Sequence, residues 1–347
     1  MYIKKILVAI AILGLLFAAF FAHFVYKAMI KPNTAFNNEA AYIYVPTNAS
    51  YQDVRNQLEP LLDDINSFDA LAKRKKYTSY IKPGRFEIKK GMSNNDIINS
   101  IRSKNLPIKV SFNNQESLEK LAGRVAMQIE ADSLSLLKAM NDEAFLEKHN
   151  FSKATALGMY LPNSYEFFWN TSAEAFRNRM LKEYKRFWNE NRTQKAKAIG
   201  LSPDEVITLA SIVHEESKQV SEQPRIAGVY INRLKIGMPL QADPTLKFAA
   251  YQLPEYKNTI IKRVLNIHKD IDSPYNTYKN QGLPPGAIAM PDISAINAVL
   301  NYEKHNYLYF AADAERLGFH KFAKNLSQHN ANARAYQRYL SAQGITR

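Results

Sequence analysis

The chain has 347 residues, of which 46% are hydrophobic, enough for two modest globular domains and one accessory segment. A formal net charge of +14 suits an anionic partner, but the lysines and arginines are dispersed (KRKKY, FEIKK, IIKRV) and form no arginine-rich run or zinc-finger spacing, which argues against nucleic acid. The lack of cysteine excludes disulfides, thiolate metal sites and a cysteine nucleophile together.

From Ile6 to Tyr26 (ILVAIAILGLLFAAFFAHFVY) no residue is formally charged, and such a run can cross the roughly 30 Å hydrocarbon layer as a helix. Lys4 and Lys5 precede it and Lys27 and Lys31 follow. The short basic N-terminus favours staying inside, so residues 1–31 are expected to anchor the chain in the cytoplasmic (inner) membrane with the remainder translocated. The run is long for a signal peptide and no small-x-small site closes it, which favours a retained single-pass anchor.

Residues 32–40 read as a polar juxtamembrane linker. Between 41 and 110 strand and helix patterns mix. AYIYVP alternates as a strand does, Ser50 caps a helix, IKPGRFEIKKGM reads as a strand around a Pro-Gly turn, and Ser93 opens a second helix. A module of this kind suits either binding of an extended polymer or a spacer role. Residues 111–347 form the larger part. Residues 110–140 begin with a strand and continue into helices, Asp132 and Ser133 suit the cap of the second helix, and ALGMYLPNSYEFFW suits a loop or a strand with turns. Residues 173–200 read as one long amphipathic helix ending near Gly200.

Ser202-Pro203-Asp204-Glu205 is a helix start with serine as cap, proline at the first position and glutamate three residues on from the cap. With Val206 at 0° and about 100° per residue, Leu209, Val213, Ala210 and Ile212 centre an apolar face near about 320°. Glu216 falls at about 280°, inside that face, whereas Glu215 at about 180° and His214 at about 80° fall toward the flanks. A carboxylate among apolar side chains at a helix C-terminus has its pKa raised, which makes a proton donor near neutrality. The alternative is a structural glutamate paired with a buried arginine such as Arg225 or Arg233.

The ordered segments LASIVHEES, QPRIAGVYINRLKIGMPLQADPTLKF, YNTYKNQGLPPGAIAMP, NYLYFAAD and GFHKFAKNLSQHN closely resemble the YceG/MltG-like endolytic murein transglycosylases. The similarity is dense over residues 155–335, and the anchor stands where that family has one. Residues 41–110 resemble, more loosely, the family's small LysM-like subdomain. The resemblance implies an α+β protein with a transmembrane helix, a LysM-like subdomain and a larger catalytic domain bearing a catalytic helix and a substrate cleft. The family's catalytic glutamate closes an IVxxE segment, which falls on Glu216. Position 214 usually holds glutamate in the family, so His214 is not expected to be essential.

The implied reaction is non-hydrolytic cleavage of the MurNAc–GlcNAc bond inside nascent peptidoglycan strands, leaving 1,6-anhydro-MurNAc ends. It needs one acid and no activated water, whereas hydrolysis normally takes two carboxylates. The resemblance also implies a role in terminating glycan elongation, beside penicillin-binding synthases, and no cofactor.

Around Glu216 several residues are candidates for substrate contact. Glu166 is the best second carboxylate, and Asn232 in INRL suits an acetamido group or Glu216 itself. Gln241, Asp243, Pro244 and Thr245 read as a QADPT loop whose amide and hydroxyl both donate and accept, as sugar recognition requires. Tyr275, Asn276 and Tyr278, with the rigid GLPPGAI segment (282–288), would form a cleft wall. Each of these also has a bland reading as a packed or solvated residue. ISAINAVLN reads as a helix, YLYF (307–310) as a buried strand, and AYQRYLSAQG as a C-terminal helix. His320 and His329 lack a third ligand at metal spacing, so no metal is expected. Two other readings stand beside the transglycosylase: a peptidoglycan hydrolase using Glu216 with Glu166, and a non-catalytic glycan-binding scaffold.

Overall fold

The apolar N-terminal run forms a single helix, α1 (Tyr2–Val25), with no buried residue. It continues into a π-helical turn, Tyr26–Ile30, and the two together are long and apolar enough to cross a membrane. These elements come from a computed structural model that describes residues 2–256, 259–261 and 263–344. The protein is mixed α+β and its contacts divide it into two compact units.

The first unit comprises residues 1–110 with 128–131 and 165–172. β1 (Ala40–Val45) and β2 (Gly84–Lys89) pair antiparallel, from Ala40 opposite Lys89 to Val45 opposite Gly84. Alternation sends Ile43, Val45, Phe86 and Ile88 to one buried face. Three helices back that face: α2 (Tyr51–Leu58), α3 (Ile65–Arg74) and α4 (Asn94–Ser103). Each starts where a side chain satisfies free amides. Ser50 with Asp53 and Ser93 with Asp96 form capping boxes, and Asp64 caps α3. Val54, Leu58, Phe68, Leu71, Ile97, Ile98 and Ile101 complete the core. The segment read as a linker is stitched to this core at its start. Asn33 is buried, donates to Asn94 Oδ1 at 2.6 Å and to the Asp64 carbonyl at 2.9 Å, and accepts from the Asp64 amide. β3 (Pro107–Phe112) and β4 (Asn163–Phe168) form a further two-stranded sheet.

The second unit holds residues 111–127, 132–164 and 173–347. Capped helices α5 (Leu118–Ala126), α6 (Ser133–Met140) and α7 (Glu143–Lys148) follow Ser117, Asp132 and Asp142. The helix expected over 173–200 is two helices, α8 (Ala173–Phe187) and α9 (Glu190–Ala198). Asn189 makes the break, because its side chain accepts from the Arg192 amide and caps a new helix. Next come α10 (Pro203–Glu216), opened by the Ser202–Glu205 capping box, and α11 (Gln223–Lys235), followed by Gly237 at φ +67°. The DPT of the expected QADPT loop instead begins α12 (Asp243–Tyr251), with Pro244 in its first turn where a missing amide costs nothing.

After the short α13 (Asn266–Lys269) and α14 (Ile293–Leu300), β5 (Tyr309–Ala312) and β6 (His320–Ala323) pair antiparallel, and α15 (Leu326–Ala342) lies against both. The strand expected at 307–310 is displaced to 309–312 and is half-buried rather than buried. A two-stranded ribbon covered by one helix leaves its side chains partly open, and the carbonyls of Tyr307 and Leu308 are taken by α11 instead.

α10 is the axis of the second core. Every residue from Val206 to His214 is buried, packed by α11, α14 and the 286–290 segment. That segment approaches closely because Gly286 has no side chain; a Cβ there would sit 2.0 Å from the Ala154 carbonyl. The Ser211 hydroxyl then accepts from the Ile288 amide at 3.1 Å, fixing the loop to the helix. Buried Leu, Ile and Val side chains of this kind each contribute about 1.5–3 kcal/mol.

Candidate active site

Glu216 is the last residue of α10, and Ser217 leaves the helix in extended conformation. The carboxyl opens on a cavity of about 300 Å³. α11 contributes Tyr230 and Arg233 to this cavity, the stretch before and at the start of α12 contributes Leu240, Gln241 and Asp243, and Tyr278 adds its ring. β5 and α15 close it with Tyr309, Phe310, Leu326 and His329. Glu215 is exposed and pairs with Lys218 at 3.2 Å, so the two adjacent glutamates face different surroundings. His214 is buried, not on a flank, because α14 and the residues before it cover that side of α10. Its Nδ1 lies 3.6 Å from Asp292 and makes no hydrogen bond among the described residues.

The Tyr230 hydroxyl donates to Glu216 Oε1 at 2.7 Å. Oε2 has no hydrogen-bond partner among the described residues. Burial pushes the Glu216 pKa up to about 7, against the pull of the Tyr230 hydrogen bond; the Asp243 charge adds to the rise, and His320 and Arg233 oppose it. A group with that pKa holds its proton in about half the molecules near neutrality and can both give and take one. Burial raises the Tyr230 hydroxyl well above its ordinary value, so it remains a donor.

Arg233 is buried but does not pair with Glu216. Its guanidinium donates to the carbonyls of Leu308 and Leu240, each at 2.6 Å, and of Pro239 at 3.4 Å. Arg225 pairs with Glu303 at 3.0 Å. Neither arginine therefore neutralises the carboxyl by direct contact. Behind the site, buried Glu222 accepts from the His320 amide at 2.8 Å, bonds the His320 ring Nδ1 at 2.7 Å and accepts from the Ser217 hydroxyl at 3.4 Å. This ties the residue after Glu216 to the start of β6.

The remaining candidates divide. Gln241, Asp243 and Tyr278 lie on the cavity, and the Tyr278 hydroxyl donates to Asp243 at 2.7 Å. Gln241 takes a left-handed φ of +48°, held by its amide bond to the Thr277 carbonyl. Thr245 and Asn276 are fully buried with their polar groups engaged by the protein. The Thr245 hydroxyl meets Thr277 and the Ala242 carbonyl, and the Asn276 amide donates to the carbonyls of Lys269 and Ile271. Tyr275 packs on Phe248 at 4.6 Å between ring centres. The Asn232 amide donates to the carbonyls of His305 and Tyr307, so it and Arg233 together hold the chain entering β5. Glu166 is exposed on β4, in the first unit.

Sequence reasoning misses Tyr230, Tyr309, Phe310 and Leu326 as cavity residues, and considers His329 only to set a metal role aside. One signal for Tyr230 exists: GVYINRL places Tyr230 and Arg233 three apart on one helix face, polar tips on an otherwise apolar surface. Nothing local marks Leu326 or His329, which reach the cavity only through the docking of α15.

The YceG-like family model matches residues 43–335. The chain is 29% identical over 335 residues to the endolytic murein transglycosylase of Bacillus subtilis (strain 168), covering 91% of this chain and 89% of that protein. It is 28% identical over 337 residues to the endolytic murein transglycosylase of Streptococcus pneumoniae (strain D39), covering 87% of this chain but only 59% of the longer pneumococcal protein. A crystal structure of a yceG-like protein from Listeria monocytogenes matches 85% of this chain and 99% of its own at 27% identity, with a TM-score of 0.57. With the family model spanning most of its length, this chain belongs to the YceG-like family.

Proposed function

We propose that the protein is a membrane-anchored lytic transglycosylase that cuts inside nascent peptidoglycan strands. Residues 1–31 would anchor it and 32–40 connect the anchor. Residues 41–110 would form a LysM-like module that holds glycan, and 111–347 the catalytic domain, with the body on the outer face of the cytoplasmic membrane. The observation that carries the reading is Glu216: one carboxyl with a pKa of about 7, hydrogen-bonded on one oxygen only, facing a cavity.

The step balances with that single group. Glu216 gives its proton to the glycosidic oxygen as the bond from MurNAc C1 to that oxygen breaks, releasing the GlcNAc hydroxyl. The MurNAc 6-hydroxyl oxygen then bonds to C1, and its proton passes to the Glu216 carboxylate, leaving a 1,6-anhydro end and the acid restored. The Asp243 charge raises the Glu216 pKa, which favours the protonated acid, and on this reading the same charge would stabilise the transient oxocarbenium. Gln241, Asp243 and Tyr278 are the residues we expect to touch the saccharide. On this reading Asn232, Thr245, Tyr275 and Asn276 act by holding the segments that carry them, and a step carried by one carboxyl does not call on Glu166. Cleavage of growing strands would terminate their elongation, beside penicillin-binding synthases.

Asp243 on the same cavity also favours a second reading, hydrolysis by two carboxylates. Digestion of uncross-linked glycan, with product ends identified by mass, decides between them. Anhydro ends from the wild type, with release lowered about 10²–10⁴-fold in Glu216→Gln, are expected. Reducing MurNAc ends would overturn the lytic reaction, and wild-type release by Glu216→Gln would remove the catalytic assignment.

A further inference from the structure

We propose that the basic C-terminal end of α3, Lys73-Arg74-Lys75-Lys76, is a docking surface for anionic phospholipid headgroups that sets the first unit directly on the membrane. The inference rests on reading α1 as a membrane span and adds a second, electrostatic contact to it. The apolar run ends at Tyr26, so Phe24 lies at the edge of the hydrocarbon. The Arg74 guanidinium carbon stands 5.3 Å from the centre of the Phe24 ring, which puts that guanidinium at headgroup depth. Exposed Tyr26, two residues on, has the amphipathic ring typical of that layer.

The unit is tied to the anchor ahead of residues 32–40. Ala28 is buried, its carbonyl accepts from the Asn94 amide at 3.1 Å, and Lys27 pairs with Asp64 at 3.1 Å, so the turn after α1 is built into α3 and α4. The acid within α3 and the one that caps it are already engaged: Asp69 by Arg55 and Asp64 by Lys27. Among the described residues no carboxylate pairs with Lys73, Arg74, Lys75, Lys76 or Lys31. Lys73, Arg74, Lys76 and Lys31 are exposed, and Lys75 reaches only the side-chain amides of Asn95 and Asn99. Basic residues do favour a helix C-terminus, but that effect covers the last turn and needs no aromatic partner on another helix. Unneutralised cations held at phosphate depth suit phosphatidylglycerol-type lipid, whose surface potential attracts each of them and decays within a Debye length.

The test uses the full chain in nanodiscs of phosphatidylcholine alone or mixed with phosphatidylglycerol. Acetylation of single lysines by an impermeant ester is followed by mass, with Lys104 at the far end of α4 as internal reference. Lys73 and Lys76 should be modified about fivefold more slowly in the anionic discs, recovering in high salt, with Lys104 unchanged. Arg74→Gln should lessen the slowing. Equal rates in both lipids, slowing that survives high salt, or the same slowing from inorganic phosphate added to phosphatidylcholine discs would each overturn the proposal. Failure of the chain to stay with the discs would instead overturn the anchor reading.

Discussion

The Tyr230 hydroxyl donates to Glu216 Oε1 at 2.7 Å, joining the last residue of α10 to the middle of α11. That bond stabilises the ionised carboxylate, while the Asp243 charge destabilises it, so two neighbours pull the same pKa in opposite directions.

Replacing them should separate the two effects. Tyr230→Phe removes a donor to the carboxylate, so the Glu216 pKa rises and the alkaline limb of the activity profile moves to higher pH. The looser carboxyl should also lower turnover about tenfold, the equivalent of one hydrogen bond. Asp243→Asn removes a like charge, so the limb moves to lower pH. Activity against pH for both variants, measured on the same glycan, checks the opposed signs; shifts in one direction would show that the cavity charges do not act on Glu216.

Glu216→Gln should stabilise the fold in a pH-dependent way. The folded-state pKa of about 7 lies above the ordinary glutamate value, so between the two the folded protein binds more protons than the unfolded one. Wild-type stability from this group is therefore complete below the ordinary value and is lost as pH rises through about 7. The neutral amide feels no such loss. The variant's advantage should grow across that window to a ceiling of about 3 kcal/mol, read by chemical denaturation at several pH values.

Arg233→Met tests a structural role. The guanidinium satisfies the carbonyls of Leu308, Leu240 and Pro239 in a buried setting, and methionine fills the volume without donating. Loss of about 3 kcal/mol in stability is expected, since buried acceptors left unmade carry their desolvation cost. Thermal unfolding of the variant measures it.

His214→Leu should be nearly silent at neutral pH, within about 1 kcal/mol, because the buried Nδ1 makes no hydrogen bond that the substitution removes. Burial, aided by the Lys218 charge, holds the imidazole pKa below its ordinary value, so the wild type loses stability as pH falls below that value. The variant should be spared this acid-side loss. A comparison of unfolding midpoints at mildly acidic and neutral pH reads it out.

The sequence alone was enough to locate α10 and to separate its two glutamates. A capping box and a 100° period are local properties, and they distinguish Glu216 from Glu215 whatever packs around them. The same locality explains the capped starts of α2, α4 and α6 and the apolar span of α1. Local pattern fails where a side chain competes with the helix, as Asn189 does between α8 and α9, or where proline opens α12 inside an apparent loop. The cavity itself lies beyond local reading. Tyr230, Asp243, Tyr278, Tyr309 and His329 come from five separated stretches, and only the docking of α11, α12, the ribbon and α15 gathers them around one carboxyl. The same packing removed Thr245 and Asn276 from the surface and gave their hydrogen bonds to the backbone. Burial and pairing depend on what arrives from elsewhere in the chain. The orientation of Glu216 was therefore legible in its own helix, while its raised pKa and its Tyr230 partner were decided by the tertiary structure.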